Sequence, residues 1–372
     1  MDLFHSSGHF SETSVPASSS DREAADEADC HQNLIRFLQV AQVLGVPLLP
    51  LAWDPALESV GREGSTAHIN QSTLNAEFTF AFKRFKPHTT RNDVSEGEFR
   101  QMQYDAAIAE MTVLSHRTIR RHPNIVTFVG AGFEMSPVSD EVWPVLVSTK
   151  ADLGDLYTFL STRTPLHVES LVAICKEIAS GIQVMHHCGV IHGDLKPTNI
   201  LVEDVKDTDN IQVKVTDFGF SCFQAAQNSD LKVARTQPWE APEWHSRHFS
   251  IADAKAMDIY SFGLLCLWIL FRHEKLVVLG VPLVTLDEAF LSKDAAVTAK
   301  VQSLKKRADN SMLSCALGLV SNAIGIDDEY GSRLRRLFNL TLCSDPEQRA
   351  QTLDDLIPIL AVSGQEDEAG MR

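Results

Sequence analysis

Residues 190–201 read VIHGDLKPTNIL. Asp194 and Asn199 stand five residues apart, with Lys196 two after the Asp and Pro197 in the turn between them. Moving a phosphoryl group asks a protein for little covalent help. It asks for in-line positioning of acceptor and nucleotide, with the charge neutralised. In such a loop an Asp accepts the hydroxyl proton and an Asn five residues on ligates Mg2+ through its oxygen. A Lys two after the Asp meets the transferring phosphate. Taken alone the pattern also fits a polar turn after a helix, so the rest of the chain must decide.

Downstream, residues 216–219 read TDFG. A carboxylate at a strand end, Asp217, is suited to chelate Mg2+ on nucleotide phosphates, and Gly219 lets that loop move. Upstream, residues 81–83 read AFK. Lys83 ends an apolar strand pattern, so its head emerges into a cleft, where it needs a carboxylate to aim it. Glu110 is the candidate, mid-helix beside Ala106, Val113 and Leu114. Twelve residues later HPNIV (122–126) returns the chain to the sheet.

With these pieces in hand, the chain resembles the eukaryotic protein kinase family, serine/threonine type. The matching segments are AFK, Glu110 with HPNIV, HGDLKPTNIL (192–201), DFG (217–219), APE (241–243), DIYSFG (258–263) and DPEQR (345–349), in the family's order across about residues 57–362. Each motif is weak alone; their joint order is not. The resemblance implies ATP and Mg2+ as cofactors and a protein substrate. It implies that Lys83 and Glu110 pair to position the α- and β-phosphates, that Asp194 is the catalytic base with Lys196 beside it, and that Asn199 and Asp217 hold metal. It further implies that Glu243 pairs with Arg349, that Asp258 supports the catalytic loop, and that Thr236 contacts the base. Ser148 falls near the gatekeeper position, with Thr149, Lys150 and Ala151 as the adenine-binding hinge.

The departures are informative. The glycine-rich loop is expected at VGREGSTAHI (60–69), with Gly61 and Gly64 over the phosphates, but Glu63 occupies a glycine's place and Ala67 another. An acidic side chain there is unfavourable beside phosphate. Gly193 stands where many members carry an Arg that binds a phosphate on the activation loop. Its absence removes a switch rather than the chemistry, unless Arg235 or Arg247 takes over. Residues 37–64 (FLQVAQVLGVPLLPLAWDPALESVGREG) are similar to a group of fungal kinase-like proteins. Between Glu243 and Arg349 lie 105 residues, more than the family's usual span, and the extra length at about 272–330 is expected to be a helical insert, inert in the plainer reading.

The bulk properties agree with a soluble globular chain: 372 residues, 44% hydrophobic and 22% charged. The net charge of −16 argues against general affinity for nucleic acid or an anionic membrane. Seven dispersed cysteines without metal or redox spacing fit a reducing compartment, the cytosol first and the nucleus as alternative. Cys222 is read as an ordinary small residue before a reactive thiol. MDLFHSSGHFSETS at the start lacks the marks of a secretory signal. Ile259–Phe271, at 13 apolar residues, is too short to span a bilayer and suits a buried core helix. Nothing in the sequence sets the oligomeric state.

The expected organisation is a disordered acidic leader (1–30), a helical extension (31–56), a two-lobed α+β domain (57–362; N-lobe 57–148, C-lobe 152–362) and a disordered tail (363–372). Leu34, Phe37, Leu38, Ala41 and Leu44 make one face of the extension's helix, expected to pack on the main domain. Strands are expected at 74–85, 125–129, 142–147 and 211–215. A long helix over 95–119 presents Phe99, Met102, Ala106, Ala109 and Val113, and another ends near Gly189. From Ala252 only helical patterns are read.

The residues thus favour an ATP-dependent serine/threonine protein kinase. The degraded glycine loop keeps a pseudokinase scaffold as the alternative. A small-molecule kinase is disfavoured by Glu243, Asp258 and Arg349, and a module without a nucleotide site leaves the cleft carboxylates without a reason.

Overall fold

A computed structural model describes residues 32–50, 58–59, 67–73, 79–85, 95–135, 141–206, 208, 210–223, 236–245, 250–278, 281–292, 294–305, 309–323 and 328–361. The leader and tail lie outside these residues, as do Gly61, Glu63, Gly64, Arg235 and Arg247.

The smaller lobe is a five-stranded antiparallel sheet. Its strands are β1 (Glu58–Ser59), β2 (Ala67–Thr73), β3 (Thr79–Phe85), β4 (Phe128–Met135) and β5 (Val142–Thr149), in the order β1-β2-β3-β5-β4. Helix α1 (32–43) precedes the sheet and α2 (Glu96–Ser115) lies between β3 and β4. Ser95 caps α2 with a full capping box to Glu98. The helix ends at Ser115, four residues before the expected end, and Ile119–Arg121 turns as a separate 3-10 segment.

Helix α1 does pack on the domain: Phe37 and Ala41 are fully buried in one cluster with Tyr104, Ala107, Ile108 and Met111 of α2. That contact corrects the expected face of α2. Met102 is exposed, whereas Arg100, Gln103 and Tyr104 are buried. Arg100 ion-pairs with Glu141, and the Tyr104 hydroxyl donates to the Val142 carbonyl at 2.6 Å. Beyond Gly45, at φ +64°, the chain runs alongside β4 in parallel. There Leu49 N–H donates to Ala131 O at 2.8 Å, and Ala131 N–H donates to Pro47 O at 3.0 Å. The approach needs Gly130, where an added Cβ would meet Pro47 O at 2.6 Å.

The larger lobe contains α3 (Leu156–Thr162), α4 (Val168–His187), α5 (Ile251–Phe271), α6 (Leu286–Leu291), α7 (Ala295–Lys305), α8 (Ser311–Asn322), α9 (Asp328–Thr341) and α10 (Ile357–Leu360). Two short ribbons carry the loops between α4 and α5: β6 (Val190–Ile191) with β9 (Cys222–Phe223), and β7 (Ile200–Asp204) with β8 (Ile211–Val215). The two-lobed α+β expectation holds, with three corrections to its parts.

The strand expected at 125–129 begins instead at Phe128. Ile125 makes an isolated bridge to Val215 and buries its side chain in the larger lobe's core. The segment after α5, expected to be helical, opens with a hairpin of β10 (Lys275–Val278) and β11 (Val281–Thr285). Finally, the apolar stretch around 259–271 extends to a helix, Ala252–Phe271, that is long and apolar enough to cross a membrane. Its apolar window is 89% buried inside the domain, as befits a core helix that is apolar all round.

Candidate active site

The loop between β6 and β7 is fixed from below by α5. Asp258, 2% exposed, accepts from His192 N–H (2.8 Å) and Gly193 N–H (2.9 Å) and bonds the His186 ring (2.9 Å). Burial alone would raise its pKa, but these partners, His186 foremost, hold it below the ordinary aspartate value. Gly193 has φ +77°, a conformation that costs a side-chain-bearing residue strain.

Above this support the loop gathers its polar residues on Asp194. Lys196 Nζ donates to Asp194 Oδ2 at 2.6 Å and Asn199 Nδ2 donates to the same oxygen at 3.0 Å. Asn199 Nδ2 also bonds the Asp194 carbonyl at 2.8 Å, which leaves its amide oxygen for another partner. Thr236 Oγ1 donates to Asp194 Oδ1 at 2.5 Å. The expected contact between Thr236 and Asp194 is therefore present.

The facing group comes from three elements. Lys83 on β3 reaches Glu110 Oε2 of α2 at 2.5 Å and Asp217 Oδ1, just after β8, at 2.6 Å. One ammonium thus serves two carboxylates. Burial would lower the Lys83 pKa, but Asp217 and Glu110 outweigh it and hold the pKa above its ordinary value. Burial opposes ionisation of Asp217 too, yet Lys83 brings it down to about 2. Glu110 goes the other way: burial pushes it up, and the charge of Asp217 adds to the push. Asp217 has φ +68°, a strained conformation that Asp tolerates better than most residues. The next residue, Phe218, is fully buried in one cluster with Val113 and Leu114 of α2, its ring 5.4 Å from that of His192. This anchors Asp217 with α2 drawn in.

Two further features bear on a nucleotide. At the end of β5, Thr149 N–H and Lys150 N–H donate to Thr127 O and Thr79 O, each at 3.0 Å. Ala151 is buried, and its N–H has no partner among the described residues. A backbone donor left open in this way fits a ligand acceptor such as an adenine nitrogen. Asp217 and the amide oxygen of Asn199, which has no donor among the described residues, are hard oxygen donors. Two such donors suit Mg2+, which keeps waters and takes its other ligands from phosphate. The residues present therefore fit ATP and Mg2+. A separate cavity of about 550 Å³, lined by Ser115, Arg117, Arg120 and Arg121, includes none of these residues.

The peptide segment after the cleft is tied down by Arg349, whose guanidinium forks onto Glu243 at 2.6 and 3.0 Å and lies 4.7 Å from the Tyr260 ring centroid. Residues 57–356 match the protein kinase domain family.

The chain belongs to the protein kinase family.

Relatives of this kinase chain include a serine/threonine/tyrosine-protein kinase of Arabidopsis thaliana, 32% identical over 149 residues, 40% of this chain and 34% of that one. A mitogen-activated protein kinase kinase kinase of Caenorhabditis elegans is 32% identical over 164 residues, 44% of this chain and 16% of that one. A serine/threonine-protein kinase of Pyricularia oryzae is 30% identical over 169 residues, 45% of this chain and 16% of that one. The match thus spans about a third or less of each relative. A kinase domain in general takes ATP with Mg2+ and acts on protein.

Reading the sequence named the α1 face and its packing on the domain, but not its target, α2. It also missed Lys305, the first of two lysines in the run KKR, whose burial no sequence signal marks.

Proposed function

We propose that the chain is an active serine/threonine protein kinase that moves the γ-phosphoryl group of ATP to a protein hydroxyl. The observation that carries this reading is the joint geometry of Asp194, held by Lys196, Asn199 and Thr236, and of Asp217, held by the Lys83–Glu110 pair. In this reading Asp194 takes the acceptor proton and Lys196 faces the phosphate in flight. Lys83, aimed by Glu110, binds the α- and β-phosphates. Thr149 and Ala151 receive adenine through their backbone. Asp217 and Asn199 hold Mg2+, which when bound supplies charge neutralisation on the phosphates. Gly61 and Gly64, outside the described residues, are the expected cover over the phosphates.

Lys196 supports serine and threonine over tyrosine as acceptors. With Gly193 the catalytic loop offers no Arg to an activation-loop phosphate, so activity is independent of a phosphate read at that position. The resemblance to fungal kinase-like proteins is part of this reading. So is residence in the cytosol, with the nucleus as alternative, supported by free cysteines among the described residues.

A pseudokinase scaffold is the second reading, favoured by Glu63 in a glycine's place. Purified protein is given Mg2+, ATP and myelin basic protein, beside Asp194→Ala and Lys83→Ala variants. Phosphoserine or phosphothreonine made by the parent and lost in both variants is the expected result. A folded parent without turnover leaves the scaffold reading.

A further inference from the structure

The turn Thr236–Glu240 lies one hydrogen bond from Asp194, through Thr236 Oγ1. Three of its carbonyls each take a side-chain donor. Pro238 O accepts from Lys305 Nζ at 2.6 Å, Trp239 O from Ser261 Oγ at 2.9 Å, and Glu240 O from Lys305 Nζ at 2.6 Å. Carbonyls in irregular segments ordinarily face water. Here they are held by side chains from two helices, α5 and α7.

The contribution of α7 is the unexpected one. Lys305 is 1% exposed, and its ammonium also lies 3.6 Å from Glu240 Oε2. One helical turn earlier, Gln302 Nε2 donates to Glu240 Oε1 at 2.6 Å. A buried ammonium and a buried carboxylate are expensive to desolvate unless each is well bonded. Here Lys305 is bonded by two carbonyls and Glu240 Oε1 by Gln302, which ties all three residues to one geometry. The ring of Trp239 locks the same turn from the other side, 5.0 Å from Phe290 of α6 and 6.3 Å from Trp268 of α5, centroid to centroid.

We propose that α7, through Lys305 and Gln302, is part of the acceptor-binding machinery, with Lys305 a positioning residue for the protein substrate. The proposal rests on the kinase reading above. Thr236 Oγ1 bonds Asp194 Oδ1, so in the kinase reading the Thr236–Glu240 turn borders the place where the acceptor hydroxyl meets its base, and what fixes that turn bears on where the acceptor backbone lies. The segment at 272–330, inert in the plainer reading of the sequence, thereby acquires a role in substrate recognition. Nucleotide binding, on β3, α2 and the β5 end, does not pass through α7.

The test uses the full chain with myelin basic protein, whose positive charge suits a protein of net charge −16. Lys305→Met alone strands the Glu240 carboxylate and risks unfolding. The working variants are therefore Gln302→Leu and the charge-neutral double Lys305→Met/Glu240→Gln, each checked by thermal melt. Two quantities are measured: steady-state KM for acceptor and for ATP, and acceptor binding by fluorescence anisotropy without turnover. The expected result is at least a fivefold rise in KM for the acceptor and in its dissociation constant, with KM for ATP within twofold of the parent. Unchanged acceptor binding in folded variants overturns the proposal, as does a parallel change for ATP and acceptor. If the parent binds acceptor but turns none over, the kinase reading fails, and the anisotropy alone decides the role of α7. A parent that does neither overturns both.

Discussion

Phe37 of α1 meets Tyr104 of α2 edge to face, with ring centroids 6.3 Å apart. Six residues along α2 stands Glu110, the partner of Lys83. The N-terminal helix therefore backs the helix that aims the phosphate-binding lysine. Phe37 is fully buried, so Phe37→Ala is expected to cost about 3–5 kcal/mol of stability. It should also weaken ATP binding, since α2 loses its backing. Calorimetric unfolding and ATP titration check both; a folded variant with unchanged ATP affinity would break the link from α1 to Glu110.

Glu110 should separate stability from activity. Its folded pKa is raised by burial, so its contribution to stability is complete below the unfolded value of about 4.3 and is lost as pH rises through the raised value. Glu110→Gln is thus expected to fold as stably as the parent near neutral pH, or more so. Its phosphotransfer should fall about 100-fold or more, because Lys83 is no longer aimed at the phosphates. Urea titrations at several pH values, beside turnover, are the measurement.

Asp217 has the opposite sign. Its folded pKa is lowered to about 2 despite burial, because Lys83 stabilises the carboxylate. Its contribution is present above the unfolded value of about 3.9 and is lost as pH falls toward 2. Asp217→Asn should flatten that part of the acid-unfolding curve. An acid limb identical to the parent's would show that the Lys83 contact is not formed in solution.

Gly193 holds φ +77° while its N–H bonds Asp258. Gly193→Ala should destabilise the loop by about 1 kcal/mol, for conformational reasons alone. Phosphatase treatment of the parent should leave its activity within twofold. A large loss would mean that another cation, such as Arg235 or Arg247, reads an activating phosphate.

Arg349 is 3% exposed and forks onto Glu243. Removing one partner of such a pair strands the other, so Arg349→Met should cost about 3–5 kcal/mol. Differential scanning calorimetry reads this directly; a shift of under one degree would contradict it.

The polar loop around Asp194 was legible because its chemistry dictates residue type and spacing, and α4 because one face alone is buried. The face of α2 was misread because α1 covers it at Tyr104, Ala107, Ile108 and Met111. Arg100 and Gln103 are buried as well, Arg100 against Glu141, and their polar atoms, like that of Tyr104, disguise an inward position. Ile125 looked like a strand residue of the smaller lobe, since β-branching reports on burial and not on which lobe provides it. The β10–β11 hairpin was overlooked because LVVLGVPLVT is apolar on both faces and gives no alternation to count. Lys305 was invisible: a buried lysine differs from an exposed one only through carbonyls some 65 residues away.

The parallel rung between Pro47–Leu49 and Ala131 has a consequence for solubility. In the order β1-β2-β3-β5-β4, β4 is a sheet edge. A bare edge is a template on which another chain's strand can pair, and proteins guard against it by covering such strands. Here the cover is supplied in cis, by the leg that follows α1, and Gly130 is the gap in the side-chain wall through which it seats. The same short segment that ties α1 to the domain therefore also covers the β4 edge around Ala131 against pairing with another chain's strand.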